Sequence, residues 1–453
     1  DSTLSRAAFR LAQFESSPAR ALALYRHYQR LEPRDPWGFM AEGDVLGRMG
    51  RYDDAREAYT RAAALAPGER DVAVGRARLH LRAGRPDAAA MELARWTERH
   101  PGDAEAWDLL GRSRLRAGRP RAASAAFDRA GQAGGVARVE GRLALANALA
   151  APAVEPYVGY QRDSDGNRTG RVGGAADAMV ADGVRLGAGG ERISVGDGLV
   201  HSDGLAAYGR LAARPAPGVR LDVQGGATRY VSPFATGGDW TTPDGEARLR
   251  VRSPRGRASL DLRAQRLPLG TAPVLVENHV VRSEVRATAE LPATVLRLRG
   301  SARAGRVEAL GEAANRRVGA EGAVVVPVGD RLQLSGQYRW MGFQRASLAG
   351  YFAPRSAETL EGGVYLEAGE DGPVTLAADV GAGAQRVAEQ GADVGRWTRA
   401  LRAWAYGSIA MGPGRAVYTE LEAYDAPFAP DGVATSGTWR FVSLSLGVRW
   451  ALR

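Results

Sequence analysis

Residues 442–452 read Val-Ser-Leu-Ser-Leu-Gly-Val-Arg-Trp-Ala-Leu. Large apolar side chains alternate with serine, glycine and arginine, so an extended strand here has one apolar face and one polar face. The same period of two appears at 219–223 (Val-Arg-Leu-Asp-Val) and 258–263 (Ala-Ser-Leu-Asp-Leu-Arg). It recurs at 295–299 (Val-Leu-Arg-Leu-Arg) and 331–339 (Arg-Leu-Gln-Leu-Ser-Gly-Gln-Tyr-Arg). Turn residues divide the stretches: Asp163-Ser164-Asp165-Gly166-Asn167, Pro243-Asp244-Gly245, Pro254-Arg255-Gly256, Gly329-Asp330, Asp371-Gly372-Pro373 and Gly412-Pro413-Gly414. Longer connections are expected at 231–244, 268–281 and 425–438.

Counted this way, the second part of the chain holds about sixteen strands in about 300 residues, an even number within the range of transmembrane barrels. Many stretches reach the roughly 9–11 residues that a tilted strand needs to cross a bilayer. No apolar run reaches about eighteen residues, so no helix is available to cross a membrane, which leaves barrel strands unaffected. Arg220, Asp222, Asp261, Arg263, Arg297, Arg299 and Arg339 all lie opposite apolar faces. A closed barrel would hold these charges in a wet lumen; a soluble sandwich would put them in solvent.

The first 146 residues carry a different period. Prolines stand at 33, 67 and 101, and Gly-Arg pairs at 50–51, 84–85 and 118–119, both sets spaced by 34. That is the period of tetratricopeptide repeats (TPRs), in which each unit is a pair of antiparallel helices. Trp107, Leu110 and Gly111 fit the first helix of one unit and Ala123, Phe127 and Ala130 its second; Phe39, Gly43, Ala55, Tyr59, Ala62, Ala89 and Leu93 repeat the pattern earlier. Small residues let the helices approach and large ones fill the gaps. Each glycine is expected to end a first helix in a left-handed turn, and each proline to stop a second. Residues 4–31 read as one more unit. No polar cap precedes Asp1, which predicts further repeats upstream. The segment from Gly131 to Ala153 is small and Gly/Ala/Pro-rich and reads as a linker after a final helix.

The fold expected is therefore an α + β multidomain chain: a TPR α-solenoid over 1–146, a linker over 147–153, and a transmembrane antiparallel β-barrel of about sixteen strands over 154–453.

Composition narrows the function. There are no cysteines, so disulfides and thiolate metal sites are excluded. The net charge of +10 is carried wholly by arginine, spread singly rather than gathered into a patch, which argues against nucleic acid. His27, His80, His100, His201 and His279 have no metal-binding spacing and read as packing or surface residues. Asp163–Asn167 resembles the start of a calcium loop, but its twelfth position is Gly174 rather than glutamate, so a hairpin turn is the better reading. Leu186-Gly187-Ala188-Gly189-Gly190 lacks the lysine and helix of a phosphate loop. With no nucleophile elbow and no paired carboxylates in a plausible cleft, the expectation is no enzyme, no cofactor and no metal.

The lumen side offers candidates instead. In 402–408, Arg402, Trp404, Tyr406 and Ser408 share a face; in the next strand Tyr418, Glu420, Glu422 and Tyr424 do so, and Tyr365 and Glu367 sit similarly two strands earlier. Rings can stack on apolar sugar faces while carboxylates and guanidinium groups, Arg339 among them, bond hydroxyls. The competing reading is a packing or girdle role, since a one-residue slip would invert every face.

A TPR array joined to a barrel of this size resembles the outer-membrane secretion subunit of bacterial cellulose synthesis and the related poly-N-acetylglucosamine porin. The Ser445–Leu452 stretch resembles the terminal strand signal of outer-membrane proteins, departing from it in ending on Leu452 and Arg453 rather than an aromatic residue. Gly350-Tyr351-Phe352-Ala353-Pro354 is similar to a Tyr-aromatic-Ser-Pro segment of the cellulose subunit, with Ala353 in place of the usual serine. The resemblance implies export of an exopolysaccharide through the barrel, in contact with outer-membrane lipid. It further implies periplasmic repeats that dock synthase components or peptidoglycan. Only three or four repeats are present, fewer than in the cellulose subunit. The alternative is a non-transporting surface or assembly protein, which inward-folding loops would favour.

Overall fold

The computed structural model describes residues 2–231, 238–253, 258–293, 295–329, 331–369, 372–425 and 439–452. Cα packing separates a helical unit, Asp1–Asn147, from a barrel unit that begins at Ala148.

The helical unit is built of antiparallel pairs: α1 (Ser2–Phe14) with α2 (Pro18–Leu31), α3 (Pro36–Arg48) with α4 (Tyr52–Leu65), α5 (Arg70–Arg82) with α6 (Pro86–Arg99), and α7 (Ala104–Arg116) with α8 (Pro120–Ala130). Gly50, Gly84 and Gly118 adopt φ of 75°, 68° and 73° and end α3, α5 and α7, as the Gly-Arg spacing requires. Residues 4–31 form the additional pair. The interlocking is tight: a β-carbon on Gly111 would stand 2.4 Å from the Phe127 ring, and one on Gly43 2.6 Å from Tyr59. Only glycine lets these helices approach so closely.

Two of the first helices, α3 and α7, are capped by an aspartate that also binds the preceding helix. Asp103 accepts from the Ala106 amide at 3.0 Å and from Trp96 Nε1 at 2.9 Å, while Asp35 accepts from the Trp37 amide and from the Tyr28 hydroxyl. Tyr28 and Trp96 are two periods of 34 apart, as are Asp35 and Asp103.

The segment read as a linker is mostly helical. A short π-turn at Gly131–Gly135, with Gly134 at φ 97°, leads into α9 (Val136–Ala150), and the first strand already begins at Ala153. Its alanines and leucines favour helix, and Val139 and Ala146 are buried against Phe127 and Ala130.

Sixteen antiparallel strands follow: β1 (Ala153–Asp163), β2 (Arg168–Ala181), β3 (Val184–Gly196), β4 (His201–Ala216), β5 (Val219–Val231), β6 (Trp240–Arg252), β7 (Ser259–Pro268), β8 (Val281–Ala293), β9 (Leu296–Glu308), β10 (Asn315–Val328), β11 (Leu332–Phe343), β12 (Ser356–Ala368), β13 (Val374–Ala388), β14 (Thr398–Ala410), β15 (Arg415–Tyr424) and β16 (Phe441–Ala451). Each pairs with its chain neighbours, and β1 pairs with β16 from Ala153↔Ala451 to Asp163↔Phe441, closing the barrel. Closure satisfies every sheet edge, as a bilayer demands.

Polarity is inverted relative to a soluble domain. Outward positions such as Val158, Leu205, Val285, Leu360, Leu401 and Leu444 are exposed, whereas Glu361, Glu284 and Arg317 on the inner face are buried. No helix among the described residues is long and apolar enough to cross a membrane, which says nothing against crossing by strands.

Connections at the end where β1 begins and β16 finishes are short. Those at the opposite end, the loop end, are mostly longer. Asp163–Asn167 makes a turn there, with the Asp163 carboxylate accepting from the Asp165 and Asn167 amides and from Trp439 Nε1 at 3.1 Å. Gly412-Pro413-Gly414 is a turn as well. Pro243-Asp244-Gly245, expected to be a turn, lies inside β6: Pro243 and Gly245 face outward while Asp244 points in to accept from Thr228. The connection expected at 231–244 is correspondingly shorter, since β5 runs to Val231 and β6 starts at Trp240. Residues 254–256, Asp330, Asp371 and 426–438, also expected in turns or loops, lie outside the described residues.

The connection expected at 268–281 carries a helical turn, α10 (Pro273–Glu277), and folds inward. Val276 is fully buried against Ile193, Val195 and Tyr230 on the inner faces of β3 and β5. Leu269, Ala272, Leu275 and Val280 pack with Val307, Ala349, Tyr351 and Ala353, knotting this loop to those after β9 and β11. Gly350-Tyr351-Phe352-Ala353-Pro354 belongs to that knot. Gly350 stands at φ 88°, and a β-carbon there would meet the Val274 side chain at 2.7 Å, so no side chain would fit.

Candidate functional site: the barrel lumen

Strand alternation sends Arg402, Trp404 and Tyr406 of β14 and Tyr418, Glu420, Glu422 and Tyr424 of β15 to the inner face, where they pair across strands as Arg402↔Tyr424, Trp404↔Glu422 and Tyr406↔Glu420. Leu401, Ile409 and Leu421, one residue out of phase, are exposed on the outside.

The candidates separate into three groups. Arg339 and Arg402 are held structurally: both bond Glu361, Arg339 at 2.5 Å and Arg402 at 2.8 Å, and Arg402 also pairs with Asp379 at 2.6 Å. Gln337 completes the shell around Glu361, which is 4% exposed. Tyr424 is buried in a stack with Phe441 and Trp439, and Tyr365 donates to Glu367 in its own strand at 2.8 Å. Trp404, Tyr406 and Tyr418 form the third group, with ring centroids 6.5 Å apart at each step and Trp404 Nε1 donating to Glu420.

This ribbon continues through residues that sequence reasoning missed. Tyr418, Gly447, Tyr157, Gly173 and Glu191 lie in one row across β15, β16, β1, β2 and β3. A β-carbon on Gly447 would stand 2.2 Å from the Tyr418 ring, and one on Gly173 2.9 Å from that of Tyr157. Each tyrosine thus lies flat across the glycine beside it. Tyr157 then reaches over Gly173 to donate to Glu191 at 2.6 Å, and Tyr208 covers Gly189 in the same way. A ring laid along the wall turns its face to the lumen, which is what stacking requires.

Beside this wall is a cavity of about 900 Å3, lined by β15, β16 and β1–β8 and roofed by Leu269, Gly270 and Thr271 of the inward loop. Its charges come in pairs: Arg171–Glu191 at 3.0 Å, Arg210–Asp177 at 2.5 Å and Arg220–Asp222 at 2.9 Å. Of the candidates, Glu422 lines this cavity directly. The remaining inner wall is cross-linked by Arg317–Glu284 at 2.7 Å, Arg286–Glu321 at 2.9 Å and the Glu361 cluster. Paired charges can stay ionised in such a wall and still offer hydrogen bonds. No group of side chains among the described residues is arranged to hold a metal.

Helix pairs of TPR type are followed by a closed sixteen-stranded barrel whose apolar exterior and charged interior have the polarity of an outer-membrane barrel. Residues 48–113 match the tetratricopeptide-repeat family. Among solved structures the chain is similar to a bacterial polysaccharide outer membrane secretin, at 9% identity over 67% of this chain and 99% of that one, with a TM-score of 0.48. It is similar to CdiB from Acinetobacter baumannii at 12% identity, 66% and 60% coverage and a TM-score of 0.38. The helical part is similar to MamA from Desulfovibrio magneticus RS-1 at 21% identity, covering 32% of this chain and 82% of that one, with a TM-score of 0.29. No curated protein matches in sequence.

Proposed function

We propose that the barrel is an outer-membrane conduit for an exopolysaccharide of cellulose-like or related type, with the TPR repeats in the periplasm as a docking scaffold for synthase components or peptidoglycan. The observation that carries this reading is the row of tyrosines laid flat on glycines, with Glu155, Glu191 and Glu422 beside them on a cavity about 900 Å3 in volume. Flat rings give a sliding contact to apolar sugar faces, and the carboxylates exchange hydrogen bonds with hydroxyls as a chain passes.

Single-channel currents should fall on adding cello-oligosaccharide. Trp404→Ala with Tyr418→Ala, and separately Tyr157→Ala, should weaken that block several-fold. An unchanged block in both would remove the sugar-track reading.

A second reading, a non-transporting surface or assembly protein, is favoured by one feature: the 269–280 loop folds into the barrel and buries Val276 against its inner wall. Replacing residues 272–278 with a short Gly-Ser linker separates the two. Conductance that rises and becomes sensitive to oligosaccharide supports the conduit. A folded barrel that neither conducts nor binds sugar in either form supports the second reading.

A further inference from the structure

The outer face of the barrel changes character along its height. Towards the short-turn end it is leucine and valine, with Leu249, Leu262, Leu291, Leu298 and Val326 facing out. At the loop end arginines join the outward positions, Arg266, Arg306 and Arg316 among them.

The change is sharpest in one row across five strands. Gly245 pairs with Arg266, Arg266 with Ser283, Ser283 with Arg306, and Arg306 with Arg316. Glu308 is the one carboxylate bonded to this row among the described residues. It takes Arg266 at 2.8 Å and Arg306 at 2.9 Å, and Arg316 has no salt bridge among the described residues. Three guanidinium groups therefore stand near a single carboxylate that bonds two of them, and Arg306 and Arg316 are direct cross-strand neighbours. Like charges so placed repel, and an anion between them would turn that cost into binding.

Immediately below, towards the short-turn end, the next outward row is Ala247, Ala264, Val285, Ala304 and Val318. These small side chains leave a shallow external groove of about 780 Å3, with an almost wholly apolar wall, that opens upward onto Arg266, Arg306 and Arg316. A basic rim above an apolar trough matches one chemistry: a phosphate headgroup with acyl chains below it.

The geometry points to a specific binding site for a phosphorylated acyl lipid on the outside wall over β6–β10, in the leaflet that surrounds the loop end. Arg306 and Arg316 grip the phosphate, Arg266 and Ser283 flank it, and the acyl chains lie on the alanine row. The site rests on the transmembrane reading of the barrel and is independent of what the lumen carries.

The test uses the full chain in detergent, titrated with bisphosphorylated lipid A and read by native mass spectrometry. The expected result is a retained lipid, weakened at least tenfold by Arg306→Gln with Arg316→Gln, and equally by removing the lipid's phosphates. Arg192→Gln, outside this row, should leave it unchanged. If the double variant does not fold, the dephosphorylated lipid on unaltered protein decides the matter. Equal binding of the dephosphorylated lipid, or equal binding by a folded double variant, overturns the site. So does full competition by inorganic phosphate alone, which would mark an adventitious anion site. Failure of the transmembrane reading looks different: a chain that neither enters vesicles nor shifts its gel migration on heating.

Discussion

Tyr418 lies across Gly447, with room for no atom between the ring and the backbone: a β-carbon at 447 would stand 2.2 Å from Cζ of the ring. Gly447→Val should therefore lift the ring from the wall. The expected cost is about 1–3 kcal/mol, typical of overpacking, seen as a lower temperature for the heat-induced shift in gel migration. The oligosaccharide block should weaken in the same variant. A block that is unaffected while stability falls would mean the ring does not touch sugar.

Glu361 holds two arginines at once, Arg339 and Arg402. Glu361→Gln leaves both guanidinium groups in the wall without their shared partner, and removal of one side of a buried ion pair costs about 3–5 kcal/mol. The urea midpoint should fall accordingly. Replacing the cluster as a whole, by Glu361→Leu with Arg339→Met, Arg402→Met and Asp379→Asn, should recover most of that loss, because no charge of the cluster then stands alone.

His80 makes the helical unit sensitive to pH. Burial, then the nearby Arg85, Arg76 and Arg56, push its imidazole down to about 4. Its Nδ1 is buried without a hydrogen-bond partner, as suits a neutral ring. The folded value is below the unfolded value near 6.5. The neutral ring's contribution is therefore complete above about pH 6.5 and is lost as pH falls towards 4. Helical circular dichroism melting at pH 7.5 and pH 5 should show the loss, about 1–3 kcal/mol at most. His80→Phe should flatten the difference between the two pH values, and an equal drop in that variant would exclude His80 as its source.

Asp103 ties three neighbours to one carboxylate: Arg70 at 2.8 Å, Trp96 Nε1 and the Ala106 amide. Burial alone would push its carboxyl up, but the hydrogen bonds from Arg70, Ala106 and Trp96 together outweigh burial and hold it below the usual carboxylate range. Its contribution is present above about pH 4 and lost as pH falls below that. Asp103→Ala should cost about 1–2 kcal/mol as a lost helix cap, while Asp103→Asn should keep the cap and lose the Arg70 charge pair. The difference in melting temperature between the unaltered chain and Asp103→Asn measures that pair, and the difference between the two variants measures the cap.

The helical unit was legible because its signal is local. Gly50, Gly84 and Gly118 recur at fixed spacing and each performs one backbone task, so the period alone locates the helices. The strands were legible through alternation, and both Arg402 and Leu401 fall on the faces that alternation assigns them. Local composition misled at Pro243-Asp244-Gly245, where a proline and a glycine that serve an outward strand face look like a turn. It misled again at Val136–Ala150, where small residues that pack a helix look like a linker. The lumen wall was only partly legible. Trp404, Tyr406 and Tyr418 stand close in the chain, but Tyr157 and Tyr208 depend on Gly173 and Gly189, which reach them only through strand pairing. The inward fold of 269–280 depends likewise on Ile193, Val195 and Tyr230, which lie some forty or more positions away.

The seam between β1 and β16 has a consequence for assembly. Fourteen pairings join neighbours already adjacent along the chain, and β15–β16 adds one more, but only Ala153↔Ala451 through Asp163↔Phe441 shuts the circle. Until Phe441–Ala451 arrives, β1 and β15 both present unsatisfied amides and carbonyls to whatever is nearby. These eleven residues are thus a latch: a copy lacking them has the full lumen wall and charge network of the other fifteen strands, yet two open borders at which a foreign strand can pair.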